Sequence, residues 1–234
     1  MAANEPFETE RAVSFPIVNP ATGEVVRQHR RMDAAQAATC IEQAHAAWLT
    51  WRAWSYTQRR GVVEAAAELL TQHRDRLANR ITTEMGKPIT EALGEVDKCA
   101  WVCRWYAEHA ESLLADDRIA LENAQVRIVR RPLGVLYAIM PWNFPLWQVF
   151  RAAAPNLMAG NAMVLKHAPN VLGCAQDITD LWQQAGVPAG LFADLPIHVE
   201  DSPAVIAHPK VRGVTLTGSD RAGRIVAGQA GQAA

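Results

Sequence analysis

Two short apolar runs on either side of one helical segment place the strongest constraint on how this chain can fold. They lie between Leu136 and Lys166, where YAIM is followed by the turn PWNFP, a mostly apolar helix and the run AMVLK. A buried strand, a crossover helix and a second buried strand are the unit of a parallel sheet. Polar groups follow both predicted strands, at the carboxyl ends where open α/β sheets bind their ligands.

The first half of the chain is predicted to be helical after an extended start. Residues 1–31 are expected to form an extended arm in which VNPATGEVV gives two short strands around a turn. Asp33 is expected to cap an alanine-rich helix that ends at about Trp51. Apolar residues at steps of three and four then predict one helical stretch over 62–81 and another from about 90 to 114. We expect these helices to form a layer that covers a sheet.

A charged segment, ADDRIALENAQVRIVRRPLG, separates the helical half from the rest of the chain. Its runs of period two around Glu122 and Asn123 predict a two-stranded hairpin arm. Since this arm is too polar for a core, we expect it to pair with another subunit.

Strands and helices alternate through the second half of the chain. Beyond the central unit, the pattern predicts a crossover helix at about 172–184, a short strand near 191–193, a strand at 213–217 and a helix at 221–231. Such alternation is typical of a doubly wound parallel sheet, so the predicted fold class is a Rossmann-like α/β fold.

Charge and cysteine content exclude several classes of protein. A formal net charge of -1 gives no general attraction to nucleic acid or to acidic membranes. The four cysteines lack the paired spacing of zinc sites and are too few for a disulfide scaffold, so reduced thiols in the cytoplasm are expected. No run reaches about 18 uncharged apolar residues, and the start has no apolar leader, so neither export nor membrane spanning is expected.

Asn143 is the first candidate for chemistry, because it lies in the turn PWNFP between a predicted strand and a predicted helix. The flanking prolines restrict the backbone torsions and hold the carboxamide in a defined place. A carboxamide there can donate a hydrogen bond to a developing oxyanion. The alternative is an ordinary helix N-cap, for which asparagine is among the preferred residues.

Lys166 and Ser219 are candidates for binding a nucleotide. A lysine at the carboxyl end of a central strand can point at a ribose or a phosphate, although a solvated strand end is an equal alternative. Ser219 lies at the start of a helix within TGSDRAG, where free N–H groups favour a phosphate. A plain capping serine explains that position equally well.

Arg151 is the one charged residue in a predicted helix, 144–159, that is otherwise almost wholly apolar. A charge beside so much apolar surface needs a partner, so we expect a carboxylate from the protein or from a substrate. Cys99 and Cys103 lie one helical turn apart with no further metal ligands, and we expect them to be core residues.

Four motifs in order resemble the aldehyde dehydrogenase superfamily: EMGKPITEA at 84–92, PWNFP at 141–145, AGNAMVLK at 159–166, and TGS with Gly223 at 217–223. The resemblance covers essentially the whole chain. LKHAPN followed by GCAQ is similar to the bacterial succinate-semialdehyde dehydrogenase branch in particular.

The resemblance implies roles for individual residues. Asn143 matches the oxyanion-hole asparagine, Lys166 matches the lysine that binds the adenosine ribose, and Arg151 falls where this branch has an arginine for the substrate carboxylate. The cofactor cleft is implied to be lined by Ile139, Met140, Pro141 and Trp142, and the cofactor pyrophosphate to be bound by Thr217, Gly218, Ser219 and Gly223.

The resemblance also implies a division of the chain and its partners. Residues 1–115 would be the N-terminal arm and the helical part of a cofactor-binding domain, 116–133 the oligomerisation arm, and 134–234 the Rossmann-like part that binds NAD or NADP. The expected partners are a small aldehyde, with succinate semialdehyde the leading candidate, and further copies of the chain in a dimer or tetramer.

Two departures from the family pattern bear on function. Neither the GQxC-type motif of the nucleophilic cysteine nor the ELGG-type motif of the glutamate base occurs, so we expect an N-terminal fragment that is inactive alone. Pro169 stands where relatives that prefer NAD often have a glutamate, so NADP is not excluded. The alternative function is a non-catalytic module that binds nucleotides or other subunits.

Overall fold

A computed structural model describes residues 13–233, which form three β-sheets and eight α-helices. The strands are β1 Ser14–Val18, β2 Val25–Arg30, β3 Asp117–Leu121, β4 Ala124–Ile128, β5 Val135–Ile139, β6 Ala162–Lys166, β7 Phe192–Asp194 and β8 Val211–Leu216. The helices are α1 Ala34–Trp51, α2 Tyr56–Gln72, α3 Arg74–Met85, α4 Ile89–Leu113, α5 Trp147–Met158, α6 Leu172–Ala185, α7 Ser202–Ile206 and α8 Asp220–Ala233. The first twelve residues of the predicted arm lie outside the described part.

The main sheet has the strand order β7-β6-β5-β8, and all of its strand pairs are parallel. The chain steps outward from β5 through α5, β6 and α6 to β7, and then returns past β5 to β8. Since such crossovers are right-handed, the outward steps place α5 and α6 on one face, and the return places α7 on the other. The predicted doubly wound parallel sheet is confirmed.

The strand order reverses beside β5, which pairs with β6 on one side and β8 on the other. Open α/β sheets bind ligands in the crevice outside the carboxyl ends of the strands at such a point. The residues that end β5, β6 and β8 are therefore the candidates for ligand binding.

The cap of the first helix follows the prediction. Asp33 accepts the N–H of Gln36 at 2.8 Å, and the Gln36 side chain accepts the N–H of Asp33 at 3.0 Å. This reciprocal pair satisfies two of the N–H groups that a helix leaves free at its start. The predicted helix from Asp33 to Trp51 is confirmed.

The prediction of one helix over 62–81 is wrong, because the chain leaves the helical conformation at His73. His73 has φ −99° and ψ 15°, and it separates α2 from α3. Buried positions continue through both helices, with Leu70 before the break and Leu77 after it. A break of one residue leaves the apolar stripe facing the same core, so periodicity alone does not reveal it.

The helical layer lies further from the sheet than predicted. Helices α2, α3 and α4 pack on α5 and α6, whereas α1 contacts β5, β6 and β7 directly and also packs against α7. One hydrophobic core joins all of these elements, with Trp51, Tyr137, Phe150, Trp182 and Phe192 at most 1% exposed.

Strands β3 and β4 form the predicted hairpin arm, with Asp117 opposite Ile128 and Leu121 opposite Ala124. Every residue of both strands is exposed.

Within residues 13–233, the helices all fall short of the length and apolar character that a bilayer crossing requires.

Candidate functional site

The ends of three parallel strands are tied together at the crevice. Ile139 is in register with Lys166 on one side and with Leu216 on the other. The N–H of Met140 donates to the carbonyl of Lys166 at 3.1 Å, and the N–H of Thr217 donates to the carbonyl of Ile139 at 3.1 Å. These bonds continue the sheet by one residue and bring the predicted cofactor residues of β5, β6 and β8 to one edge.

Lys166 ends β6 and is only 6% exposed, so the alternative of a solvated strand end is wrong. Burial lowers the pKa of its ammonium group, while the negative charges of Asp194, Glu200 and Asp201 oppose that shift. A buried ammonium group beside carboxylates stays charged only if its remaining donors find acceptors, and ribose hydroxyls supply such acceptors.

Asp194 is a candidate site residue that sequence reasoning missed. It ends β7 opposite Leu165, and burial raises the pKa of its carboxyl group to about 7. Its Oδ1 atom is buried and has no hydrogen-bond partner among residues 13–233. An unsatisfied buried oxygen is costly unless another group reaches it. Its position at the end of a predicted strand was the available signal.

Asn143 lies in an irregular turn and does not cap the following helix. Helix α5 begins at Trp147, its N-cap residue is Leu146, and no side chain of its own makes the cap. The N-cap alternative for Asn143 is therefore wrong. The side chain of Asn143 is exposed and makes no hydrogen bond to any residue between 13 and 233. Its carboxamide is free to donate to a bound oxygen.

A buried carboxylate replaces the missing cap. Oε1 of Glu95 accepts the N–H groups of Leu146 at 2.8 Å and Trp147 at 2.9 Å. Glu95 lies in α4, 51 residues earlier in the chain. Its local pattern is that of an ordinary helical residue, so the sequence gives no signal for this role.

Ser219 and the glycines around it form the start of α8. The hydroxyl of Ser219 accepts the N–H of Ala222 at 3.3 Å, so Ser219 caps the helix as the plain alternative proposed. A methyl group added at Gly223 would meet no atom within 4 Å. The backbone at Gly223 is therefore open on its Cβ side, and a helix start of this kind favours negative charge through its dipole and its free N–H groups.

Arg151 lies exposed on α5 and donates from Nη2 to Oγ1 of Thr217 at 3.0 Å. No carboxylate among residues 13–233 is within ion-pair distance of it, so the expectation of a carboxylate partner from this part of the protein is wrong. The hydroxyl contact orients the guanidinium without neutralising its charge.

The cysteines, all of which lie in the described part, are free thiols, and all but Cys40 are buried. Cys99 and Cys103 are fully buried in the core, as predicted, and so is Cys174. Burial raises the pKa of each of these thiols, and also that of the partly buried Cys40. Since the thiolate is the nucleophile, none of the four is poised for attack.

Residues 7–234 match the model of the aldehyde dehydrogenase family. The chain belongs to this family.

Named relatives of the aldehyde dehydrogenase family agree with the resemblance seen in the motifs. The chain is 43% identical over 211 residues to a probable succinate-semialdehyde dehydrogenase [NADP(+)] of Synechocystis, which covers 90% of this chain and 46% of the relative. It is 42% identical over 216 residues to the Escherichia coli succinate semialdehyde dehydrogenase [NAD(P)+] Sad, covering 92% and 47%. The chain thus spans about half the length of these curated relatives.

Solved structures of aldehyde dehydrogenases confirm the fold. The succinic semialdehyde dehydrogenase of Streptococcus pyogenes, in complex with NADP+ as the cofactor, superposes with a TM-score of 0.90 at 36% identity, covering 94% of this chain and 48% of that one. The succinate-semialdehyde dehydrogenase of Burkholderia pseudomallei gives 0.91 at 33% identity, covering 95% and 47%.

Proposed function

We propose that this chain supplies the dinucleotide-binding part of an NAD(P)-dependent aldehyde dehydrogenase that oxidises succinate semialdehyde to succinate. The observation that carries the proposal is the meeting of Ile139, Lys166 and Thr217 at one edge of the parallel sheet, beside the open start of α8. This is the place where such sheets bind dinucleotides.

The residues present fit a dinucleotide. Lys166 and the unsatisfied Oδ1 of Asp194 are proposed to bind the adenosine ribose. The N–H groups from Gly218 to Gly223 are proposed to bind the pyrophosphate, and Ile139, Met140, Pro141 and Trp142 to line the rest of the cleft. When bound, such a cofactor would supply the hydride acceptor that oxidation of an aldehyde requires. NADP is proposed alongside NAD, since Pro169 adds no carboxylate against a 2′-phosphate and relatives are named for NADP(+) and NAD(P)+.

Asn143 and Arg151 are proposed to act on the substrate. The unengaged carboxamide of Asn143 donates a hydrogen bond to the aldehyde oxygen as negative charge develops there. The guanidinium of Arg151 keeps its charge and has donors free for a two-point contact with a carboxylate. The two residues together favour an aldehyde that carries a carboxylate.

We also propose that the 234-residue chain does not oxidise aldehydes by itself. The support is the state of its four cysteines: three are buried, Cys40 is partly buried, and burial raises the pKa of each thiol. Steady formation of NADPH from NADP+ and succinate semialdehyde by the purified chain would contradict this part of the proposal.

The arm at 116–133 is proposed to join copies of the chain. Ile119 and Val126 are paired across the hairpin, and their side chains are 44% and 42% exposed. Exposed apolar side chains on a two-stranded ribbon are stabilised when another surface buries them.

A cytoplasmic location is also proposed, because all four cysteines are free thiols.

NADPH titration of the purified chain, followed by tryptophan fluorescence, tests the cofactor site. We expect saturable quenching, and we expect Trp142→Ala to weaken NADPH binding severalfold. Trp101→Ala is the matched control, since the two side chains are 52% and 56% exposed, and it should bind as the wild type does. Absence of saturable binding would overturn the proposal.

A second candidate, a non-catalytic module that binds nucleotides or other subunits, is favoured by the same buried cysteines. It shares the cofactor site, so NADPH binding does not separate the two. Reading the gene beyond codon 234 does: in-frame GQxC and ELGG motifs support the enzyme, and a stop codon supports the module.

A further inference from the structure

The residues that follow Asn143, at 144–147, are held by three buried side chains from other parts of the chain. These are Lys87, Glu95 and His167, which are 7%, 4% and 2% exposed. Lys87 lies between α3 and α4, Glu95 lies in α4, and His167 follows β6. The turn is thus fixed from two sides of the fold.

Glu95 holds the end of the turn through the backbone. One carboxylate oxygen accepts the N–H groups of Leu146 and Trp147, at 2.8 and 2.9 Å. The other oxygen forms a buried ion pair with Lys87. With both oxygens engaged, the carboxylate cannot rotate without breaking two kinds of contact.

Lys87 and His167 hold the two residues that directly follow Asn143. The ammonium nitrogen of Lys87 lies 3.7 Å from the centroid of the Phe144 ring, a cation–π contact. Nε2 of His167 donates to the carbonyl of Pro145 at 2.8 Å, and Nδ1 accepts the N–H of Ala168 at 2.9 Å. These two bonds select one neutral tautomer of the imidazole ring.

Asn143 itself has no such support. Its carboxamide makes no hydrogen bond within residues 13–233, so only its backbone sets its position. A donor that stabilises an oxyanion must be both unengaged and fixed in place before the reaction. The contacts at 144–147 fix the backbone next to Asn143, and the carboxamide itself stays unengaged.

A purely structural role explains these contacts less well. A buried ion pair is weak evidence for stability, because apolar residues of similar volume often stabilise a fold as much or more. Here the three polar side chains converge on four consecutive residues that directly follow the exposed Asn143. His167 is also adjacent in sequence to Lys166, so it links the proposed ribose site to that turn.

We propose that Lys87, Glu95 and His167 are positioning residues that fix the turn carrying Asn143 without touching the substrate. The inference deepens the proposed function and rests on the role that function gives to Asn143. It concerns residues buried within the described part of the chain, so it can be tested without turnover.

The test is nuclear magnetic resonance of the ¹⁵N-labelled 234-residue chain, with the Asn143 side-chain amide assigned through Asn143→Ala. His167→Phe removes the donor to Pro145, and His167→Gln keeps an N–H donor. We expect the Asn143 amide signal to shift or broaden in the phenylalanine variant and to return towards its wild-type position in the glutamine variant.

The second part of the experiment changes Glu95 together with Lys87, so that no buried charge is left unpaired. Glu95→Leu with Lys87→Met removes the acceptor, and Glu95→Gln with Lys87→Met keeps one. In the leucine variant the amide protons of Leu146 and Trp147 should exchange about tenfold faster than in the glutamine variant, and Asn143 should again shift.

Asn79 is the internal control, because its side chain donates to the carbonyl of Asp75 at 2.8 Å on α3, away from the turn. The proposal is overturned if the Asn143 signal stays in place in both folded loss variants, or if Asn79 moves as much as Asn143. NADPH binding is measured on the same samples. Failure to bind NADPH with Asn143 displaced as expected counts against the proposed function and leaves the positioning result intact.

Discussion

Arg151 donates a hydrogen bond from Nη2 to Oγ1 of Thr217 at 3.0 Å, joining helix α5 to the end of strand β8. The two residues were assigned separate roles, one towards a substrate carboxylate and one towards a cofactor pyrophosphate. Their contact makes the two proposed sites neighbours, so the arginine proposed to bind the substrate is held by a residue proposed to bind the cofactor.

Arg151→Leu should weaken the binding of succinate to the chain in the presence of saturating NADP+. Loss of a charge-assisted hydrogen bond predicts about tenfold weaker binding, measured by calorimetry. Arg104→Leu is a matched control, because Arg104 is also exposed and donates to a threonine hydroxyl, Thr71, at 3.0 Å. An equal loss of succinate affinity in the two variants would show that Arg151 has no specific role in binding the carboxylate.

Pro169→Glu should shift cofactor preference from NADP+ towards NAD+. A carboxylate at the start of the turn after β6 would repel a 2′-phosphate and could accept a hydrogen bond from a 2′-hydroxyl. The ratio of the two dissociation constants is the measurement. Pro169→Gln controls for loss of the proline ring and should change the ratio much less. An unchanged ratio in the glutamate variant would place the ribose elsewhere.

His167 should make the fold sensitive to acid. Burial lowers its pKa to about 4, from an ordinary value of 6.5, so the folded chain keeps the ring neutral while the unfolded chain takes up a proton. The stability due to the neutral ring is complete above about pH 6.5 and is lost as pH falls towards about 4.

His167→Gln removes that proton uptake. Urea unfolding at about pH 7 and about pH 4.5 should show that the wild type loses about 2 kcal/mol more than the variant over this interval. Asp194, whose raised pKa acts in the opposite direction, is present in both proteins and cancels in the comparison. An equal loss of unfolding free energy in the wild type and the variant would contradict a buried, neutral His167 ring.

Gly173→Ala should destabilise the contact between α3 and α6. The added carbon would lie 1.8 Å from Oε1 of Glu84, a carboxylate that is 2% exposed and accepts the N–H of Cys174 at 3.0 Å. Displacing this buried group should cost about 2 kcal/mol or more in urea unfolding.

Gly61→Ala is the matched control for that substitution. Gly61 also lies within a helix, and a carbon added there meets nothing within 4 Å. Alanine should therefore stabilise the fold by about 0.5–1 kcal/mol. The same sign of effect at both glycines would mean that the packing at Gly173 is wrong.

Local sequence patterns predicted most of the elements, because caps and apolar periods are local properties. The reciprocal cap at Asp33 and the alternation around Glu122 are examples. The break at His73 escaped prediction because the apolar stripe runs through it without changing face.

The site was predicted less completely, because its supports come from distant parts of the chain. Asn143, Arg151 and Lys166 follow strand ends or stand out from their surroundings, so the sequence indicates them. Glu95 reaches a turn 51 residues away, and His167 reaches Pro145 over 22 residues. Such contacts depend on how the helices pack, and the spacing of apolar residues along the sequence does not predict that packing.

The central claim is that the carboxyl ends of β5, β6 and β8 bind a dinucleotide through Lys166, and calorimetric titration of the chain with NADP+ tests it most directly. We predict one binding site per chain and about tenfold or greater weakening by Lys166→Met, which removes a charged donor. Lys210→Met is the control, because Lys210 precedes the opposite, amino end of β8, and it should bind like the wild type. No binding by the wild type, or equal affinity in the Lys166 and Lys210 variants, would contradict the claim.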